Sequence, residues 1–124
     1  MSEIGKKALI RNIADVDWQQ LPGHFGGALS KLLVHPDSTG SKHIDYRISH
    51  YQPMARVEIH AHKIQEQIYH VLEGVGLMEV ENDKRTVKQH DVIFIPPGVK
   101  HAISNSGILD LTFLVITAPV KDEV

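Results

Sequence analysis

An all-β fold, a double-stranded β-helix (jelly-roll) barrel, is the architecture this 124-residue chain predicts. Three observations carry it. Short β-rich runs alternate with Gly, Pro, Asn and Asp clusters along the whole chain, which is the spacing of a barrel or sandwich. No stretch holds a helical apolar period over the length a stable helix needs. Two histidine-bearing segments, about forty residues apart, each read as half of one site, and a barrel brings such segments together.

Taken in order, Lys7 to Ile13 reads as a first strand. Asp15 to Leu21 reads as a turn or short helix, with Asp15 as candidate cap and Pro22 as stop. Gly23, Gly26 and Gly27 follow as turns; no strand-to-helix context with a lysine supports a phosphate-cradling loop. Ala28 to His35 is the next strand, Pro36 to Lys42 a loop, and Ile44 to Tyr51 a further strand ended by Pro53. In the strand after Pro53, Arg56, Glu58, His60 and His62 share one face, and Val57, Ile59 and Ala61 share the other. If the histidines point inward, that apolar set needs cover from outside, which a second copy of the chain would supply; a homodimer is expected. Gln67 to Glu73 and Gly74 to Glu81 are strands, and Asn82-Asp83-Lys84 turns into Arg85 to Gln89. Val92 to Ile95 is short, apolar and β-rich, as a strand buried on both faces would be. Leu109 to Thr117 closes the sheet.

Composition narrows the function. The chain has length for one domain over residues 1–124 and not for two. A net charge of −2 offers no basic face for a phosphate backbone, so nucleic acid is not an expected partner. No run of about 18 apolar residues spans a membrane, and the opening MSEIGKKALIR lacks an apolar signal core, so a soluble, cytoplasmic protein is expected. Cysteine is absent and histidine occurs nine times. Disulfides, thiolate ligands and a cysteine nucleophile are thereby excluded, and imidazole is left as the soft ligand.

His60 and His62 stand two apart on a strand, so both imidazoles leave one face about 7 Å apart along the chain, within reach of one metal ion. Further on, HDVIFIPPGVKHAISN gives a strand, a Pro-Pro-Gly turn and His101 in succession. His60, His62 and Gly74 in the first segment (54–74), and Pro96, Gly98, His101 and Asn105 in the second (90–105), resemble the two signature motifs of the cupin superfamily, small β-barrels with a central metal. The resemblance implies His60, His62 and His101 as ligands of one divalent ion. Two motif glycines are replaced, by Met54 and His90. The usual motif glutamate, separated from Gly74 by six residues, falls on Gln67. Gln67 shares parity with Tyr69, Val71 and Glu73, and Glu66 shares parity with Ile68, His70 and Leu72, so only one of Gln67 and Glu66 faces the ion. The motif spacing selects Gln67; a bulge would shift the register to Glu66.

Four neutral ligands leave the charge of the ion uncompensated, which favours a carboxylate in the open positions. A Lewis-acid reaction on a small carboxylate-bearing molecule, of decarboxylase, lyase or isomerase type, is the expected activity. A metal-dependent dioxygenase and a non-catalytic sugar- or carboxylate-binding module are the alternatives. Imidazole with amide oxygen accommodates Mn, Fe, Co, Ni or Zn. Around the ion, Arg47 is either a carboxylate clamp or an exposed strand residue. Tyr69, Phe113 and Ile103 are either cavity wall or core. Glu58 is either an acid or base or a rim partner of Arg56. His24, His35, His43, His50, His70 and His90 have no spacing argument and take the surface or core default.

Overall fold

The computed structural model describes residues 6–123. Among these, ten strands form two antiparallel sheets of five. They are β1 (His24–Phe25), β2 (Ala28–Val34), β3 (Asp45–Tyr51), β4 (Arg56–Val57), β5 (Glu66–Glu73), β6 (Val75–Val80), β7 (Asp83–Lys88), β8 (Val92–Ile95), β9 (His101–Ser104) and β10 (Leu111–Ala118). One sheet runs β1-β4-β9-β6-β7 and the other β2-β3-β10-β5-β8. The result is a double-stranded β-helix. No helix among the described residues is long and apolar enough to cross a membrane.

Alternation builds the core. The second sheet turns Tyr51, Tyr69, Val71, Ile95, Leu111, Phe113 and Val115 inward, and Val57, Met78, Val87 and Ile103 meet them from the first. The Tyr51 and Phe113 rings meet edge-on at 5.0 Å, and Tyr69 stacks on Phe113 at 5.7 Å. Both geometries suit the ring quadrupole.

Four expectations are corrected. Lys7 to Ile13 forms no strand, because propensity alone does not make one. Arg11 instead donates to the Leu33 carbonyl at 2.7 Å. The turn that follows is a 3-10 helix at Ile13–Asp15 capped by Asn12, whose side chain accepts from Ala14 N. Asp15 closes the capping box by accepting from Asn12 N. Pro36–Thr39, expected as loop, is one short helical turn capped by His35. β8 is not buried on both faces: it is an edge strand paired only with β5, so Val92 and Phe94 are exposed.

The largest departure is in the histidine strand. Only Arg56–Val57 joins the ladder; the chain leaves it at Glu58 and returns where His60 bridges His101. Val57 and His60 therefore both turn inward, against strict alternation, while Ile59 and Ala61 face out. The apolar face expected to need a second copy is thus divided, with Val57 covered by the chain's own core. Arg56 lies over the Phe25 ring at 4.8 Å rather than against Glu58.

Candidate metal centre

Backbone bonds hold the two histidine segments together. His60 N donates to His101 O at 3.0 Å, His101 N to His60 O at 2.8 Å, and Gly98 N to His62 O at 2.7 Å. The last needs the Pro-Pro-Gly turn, whose Gly98 has φ 82, a region costly for other residues. Asn105, the last residue of the second segment, is a buried structural clamp. Its Nδ2 donates to Tyr51 O and Leu109 O and its Oδ1 accepts from Gly107 N.

Convergence of the three imidazoles follows. The ring of His60 lies 4.3 Å from that of His101 and 5.1 Å from that of His62, and one ring nitrogen of each lies within 4.8 Å of the others. Two of the rings are held from behind. His60 Nδ1 lies 2.7 Å from Glu58 O, and His101 Nδ1 lies 2.8 Å from Val99 O. A carbonyl can only accept, so both Nδ1 atoms carry the proton and both Nε2 atoms present lone pairs. His62 Nδ1 stands 3.8 Å from Asp122 Oδ2, and His62 Nε2 is buried with no hydrogen-bond partner.

Gln67 completes the set. It is buried while Glu66 is exposed, so the register turns the amide inward. Gln67 Oε1 lies 2.8 Å from His101 Nε2, and Gln67 Nε2 donates to Thr117 Oγ1 at 3.0 Å. With the His101 proton on Nδ1, two acceptors face one another at 2.8 Å. A cation taking both lone pairs would resolve that contact; without one, a half-turn of the amide does. The orphaned His62 Nε2 and this acceptor pair are what a metal ion would satisfy, and the residues fit one.

Burial favours the neutral form of His62 and His101, as metal ligation requires. His101 is pushed down to about 4, first by burial and then by His60 and His62, against the Val99 carbonyl. His62 is lowered by burial and by His60. A depressed imidazole contributes stability that is complete above the ordinary value of about 6.5 and lost as pH falls towards 4. The metal-free protein should therefore lose roughly 3 kcal/mol of unfolding free energy from His101 alone across that window. Denaturant unfolding at pH 7 and pH 4.5 checks this; equal stability at both would contradict the burial of His101.

Beside the rings lies a cavity of about 520 Å³. Arg47, Glu58, Tyr69 and Phe113 line it. Ile103 does not: it lies on the inward face of β9 like His101 but deeper, opposite Met78 in the core. Arg47 is not free, because Asp45 takes its Nε and Nη2 at 2.9 and 2.8 Å. Burial raises Tyr69 and Tyr51 well above the ordinary tyrosine value, so both hydroxyls keep their protons.

Several wall residues were not found from sequence. His24 and His35, given the surface or core default, both line the cavity, as do Asp45 and Thr117. His24 Nδ1 is 2.9 Å from Pro22 O, which leaves its Nε2 lone pair free. Asp122 accepts from Lys63 N, Ile64 N and Gln65 N at 2.8, 2.8 and 3.1 Å, tying the tail to the loop just after His62. Asp45 carried a signal, sharing strand parity with Arg47; Asp122 carried none. Asp122 orders the loop that carries His62 without bonding its ring, so Asp122→Ala should weaken metal binding by about tenfold, the low end of the cost of losing a group that orients a ligand. Competition against a chelator measures it, and unchanged affinity would assign Asp122 to the tail alone.

A family model described as the cupin domain matches residues 47–117, more than half of the chain. This chain belongs to the cupin family. A protein from Thermotoga maritima described as an oxalate-binding protein is 34% identical over 64 residues, about half of each chain. A protein of unassigned activity from Methanocaldococcus jannaschii is 33% identical over 93 residues, 75% of this cupin and 74% of that protein. The crystal structure of a predicted oxalate decarboxylase from Thermotoga maritima superposes with a TM-score of 0.80 at 23% identity, covering 89% of this chain and 98% of that one. At that identity the likeness is one of fold.

Proposed function

We propose that this cupin binds one divalent transition metal through His60, His62 and His101, with Gln67 as the fourth ligand, and holds a small carboxylate-bearing molecule against it. The observation that carries the reading is the orientation of the rings: a bonded Nδ1 turns the Nε2 of His60 and of His101 towards the common centre, His101 Nε2 facing the Gln67 amide oxygen, and Nε2 of His62 is buried without a partner. Imidazole with amide oxygen accommodates Mn, Fe, Co, Ni or Zn. When bound, the ion supplies Lewis acidity.

The chain's own residues define the rest. A neutral amide at Gln67 adds no negative charge, so an incoming anion meets the full field of the centre. The description of one relative as an oxalate-binding protein supports a carboxylate ligand. Tyr69 and Phe113 form an apolar wall, and Tyr69 offers a neutral hydroxyl rather than a base. His24 and Glu58 also line the cavity and can hold or move a proton, which supports catalysis over simple sequestration. Neutral ligands favour the divalent state, which supports decarboxylase, lyase or isomerase chemistry over dioxygenation.

Calorimetric titration of oxalate and of a 2-oxo acid tests the reading. One-to-one binding is expected in metal-loaded protein and none after chelation. Equal binding in both states would overturn it.

A further inference from the structure

A metal-held carboxylate accounts for only one end of the cavity. Gln67, Thr117 and Asp45 lie side by side across β5, β10 and β3. At about 4.8 Å per strand, the backbone of Asp45 stands about 10 Å from that of Gln67. The cavity of about 520 Å³ has room for on the order of seventeen water-sized groups, at about 30 Å³ each. Oxalate on the ion would leave most of that space and the whole far wall untouched.

The far wall has a definite chemistry. Asp45 is 5% exposed and takes the Arg47 guanidinium in a two-point contact at 2.9 and 2.8 Å. His35 Nε2 lies 4.0 Å from the same carboxylate. Ser30 and Ser49, both buried, share a hydrogen bond at 2.8 Å beside them. Burying an ion pair returns little net stability, because desolvation offsets the attraction. Stability therefore gives no reason to place one in a cavity wall. As a recognition surface it is specific: carboxylate acceptors and guanidinium donors stand side by side with no net charge. Hydroxyl groups, which both donate and accept, match that surface. A second carboxylate matches it less well, since Asp45 offsets the attraction of Arg47.

Resting on the metal-held carboxylate above, we propose that Asp45 and Arg47 form a hydroxyl-binding subsite, and that the ligand is a sugar acid of about six carbons, with its carboxylate at the metal end and its hydroxyls on this pair. The stacked Tyr69 and Phe113 rings form the apolar floor beneath its carbon chain.

The test is a ligand ladder on the full, metal-loaded chain. Glycolate, gluconate and 2-hydroxyhexanoate share a hydroxy-acid head and differ in length and hydroxylation. Gluconate is expected to bind at least tenfold more tightly than glycolate, and 2-hydroxyhexanoate less than threefold more tightly. Gluconate within threefold of glycolate, or matched by 2-hydroxyhexanoate, would overturn the subsite. The Arg47→Gln variant and the charge-free Asp45→Asn/Arg47→Gln double variant should both lose gluconate's tenfold advantage, and retention of it in either would also overturn the proposal. If the variants melt early, the ladder on the parent protein decides alone. Glycolate binding that persists after chelation would sink the metal-held carboxylate, a failure distinct from that of the ladder.

Discussion

Replacing His101 with alanine is expected to abolish metal binding and to lower unfolding free energy by roughly 2–4 kcal/mol even without metal. His101 is fully buried. Its ring lies between the Val99 carbonyl and the Gln67 amide and touches His60 and Tyr69. Truncation leaves a void and two polar groups without partners, and each contributes to the loss. Metal affinity should fall by more than the 10- to 100-fold typical of an outer-shell partner, because a ligand itself is removed. The diagnostic readout is the melting temperature with and without chelator. Ligand binding to the native state alone stabilises it, by about 2.7 kcal/mol at a hundredfold excess over Kd. The parent should show a chelator-dependent drop and His101→Ala none. A variant that still melts lower with chelator would place the ion elsewhere.

Gln67→Glu should act in opposite directions on metal and anion. The carboxylate would occupy the place of the amide, with Oε1 near His101 Nε2 and Thr117 Oγ1 free to turn and donate. The added charge strengthens the hold on a cation and cancels part of the field met by an incoming carboxylate. At an effective dielectric near 20, a unit charge about 4 Å from that carboxylate opposes it by at most ~4 kcal/mol, and screening reduces this. A tenfold loss needs only ~1.4 kcal/mol. Oxalate should therefore bind the metal-loaded Gln67→Glu protein at least tenfold more weakly than the parent. Glu66→Ala should leave the metal undisturbed, since Glu66 is exposed. Equal oxalate affinities, with metal lost in Glu66→Ala, would mean that the register is shifted in solution.

The centre was legible because its spacing is short-range. Two histidines two apart, a turn of fixed chemistry and a third histidine can meet in few ways once the barrel is recognised. Two of the three departures from the family pattern prove conservative in backbone shape: Met54 and His90 stand where glycines are usual, and both adopt positive φ, 73 and 76. The backbone keeps the glycine conformation at the cost of side-chain strain. What sequence missed depends on long-range placement. The inward turn of both Val57 and His60 follows from a break in the ladder at Glu58 that alternation cannot foresee. The edge position of β8 is a property of sheet order rather than of its apolar run. Arg47 was found but its partner was not, although Asp45 precedes it by two on the same strand face. His24 and Asp122 reach the site from outside both motifs, one from a two-residue strand between glycines and one from the tail.

Metal content measured on untagged protein tests the central claim most directly. After chelation and dialysis, titration with Co(II), read by its ligand-field absorbance, is expected to saturate at one ion per chain in the parent and to give no bound spectrum in His101→Ala. Protein that takes up no ion, or a parent and a folded His101→Ala that give the same stoichiometry and spectrum, would contradict the assignment of His60, His62, Gln67 and His101 as a metal centre.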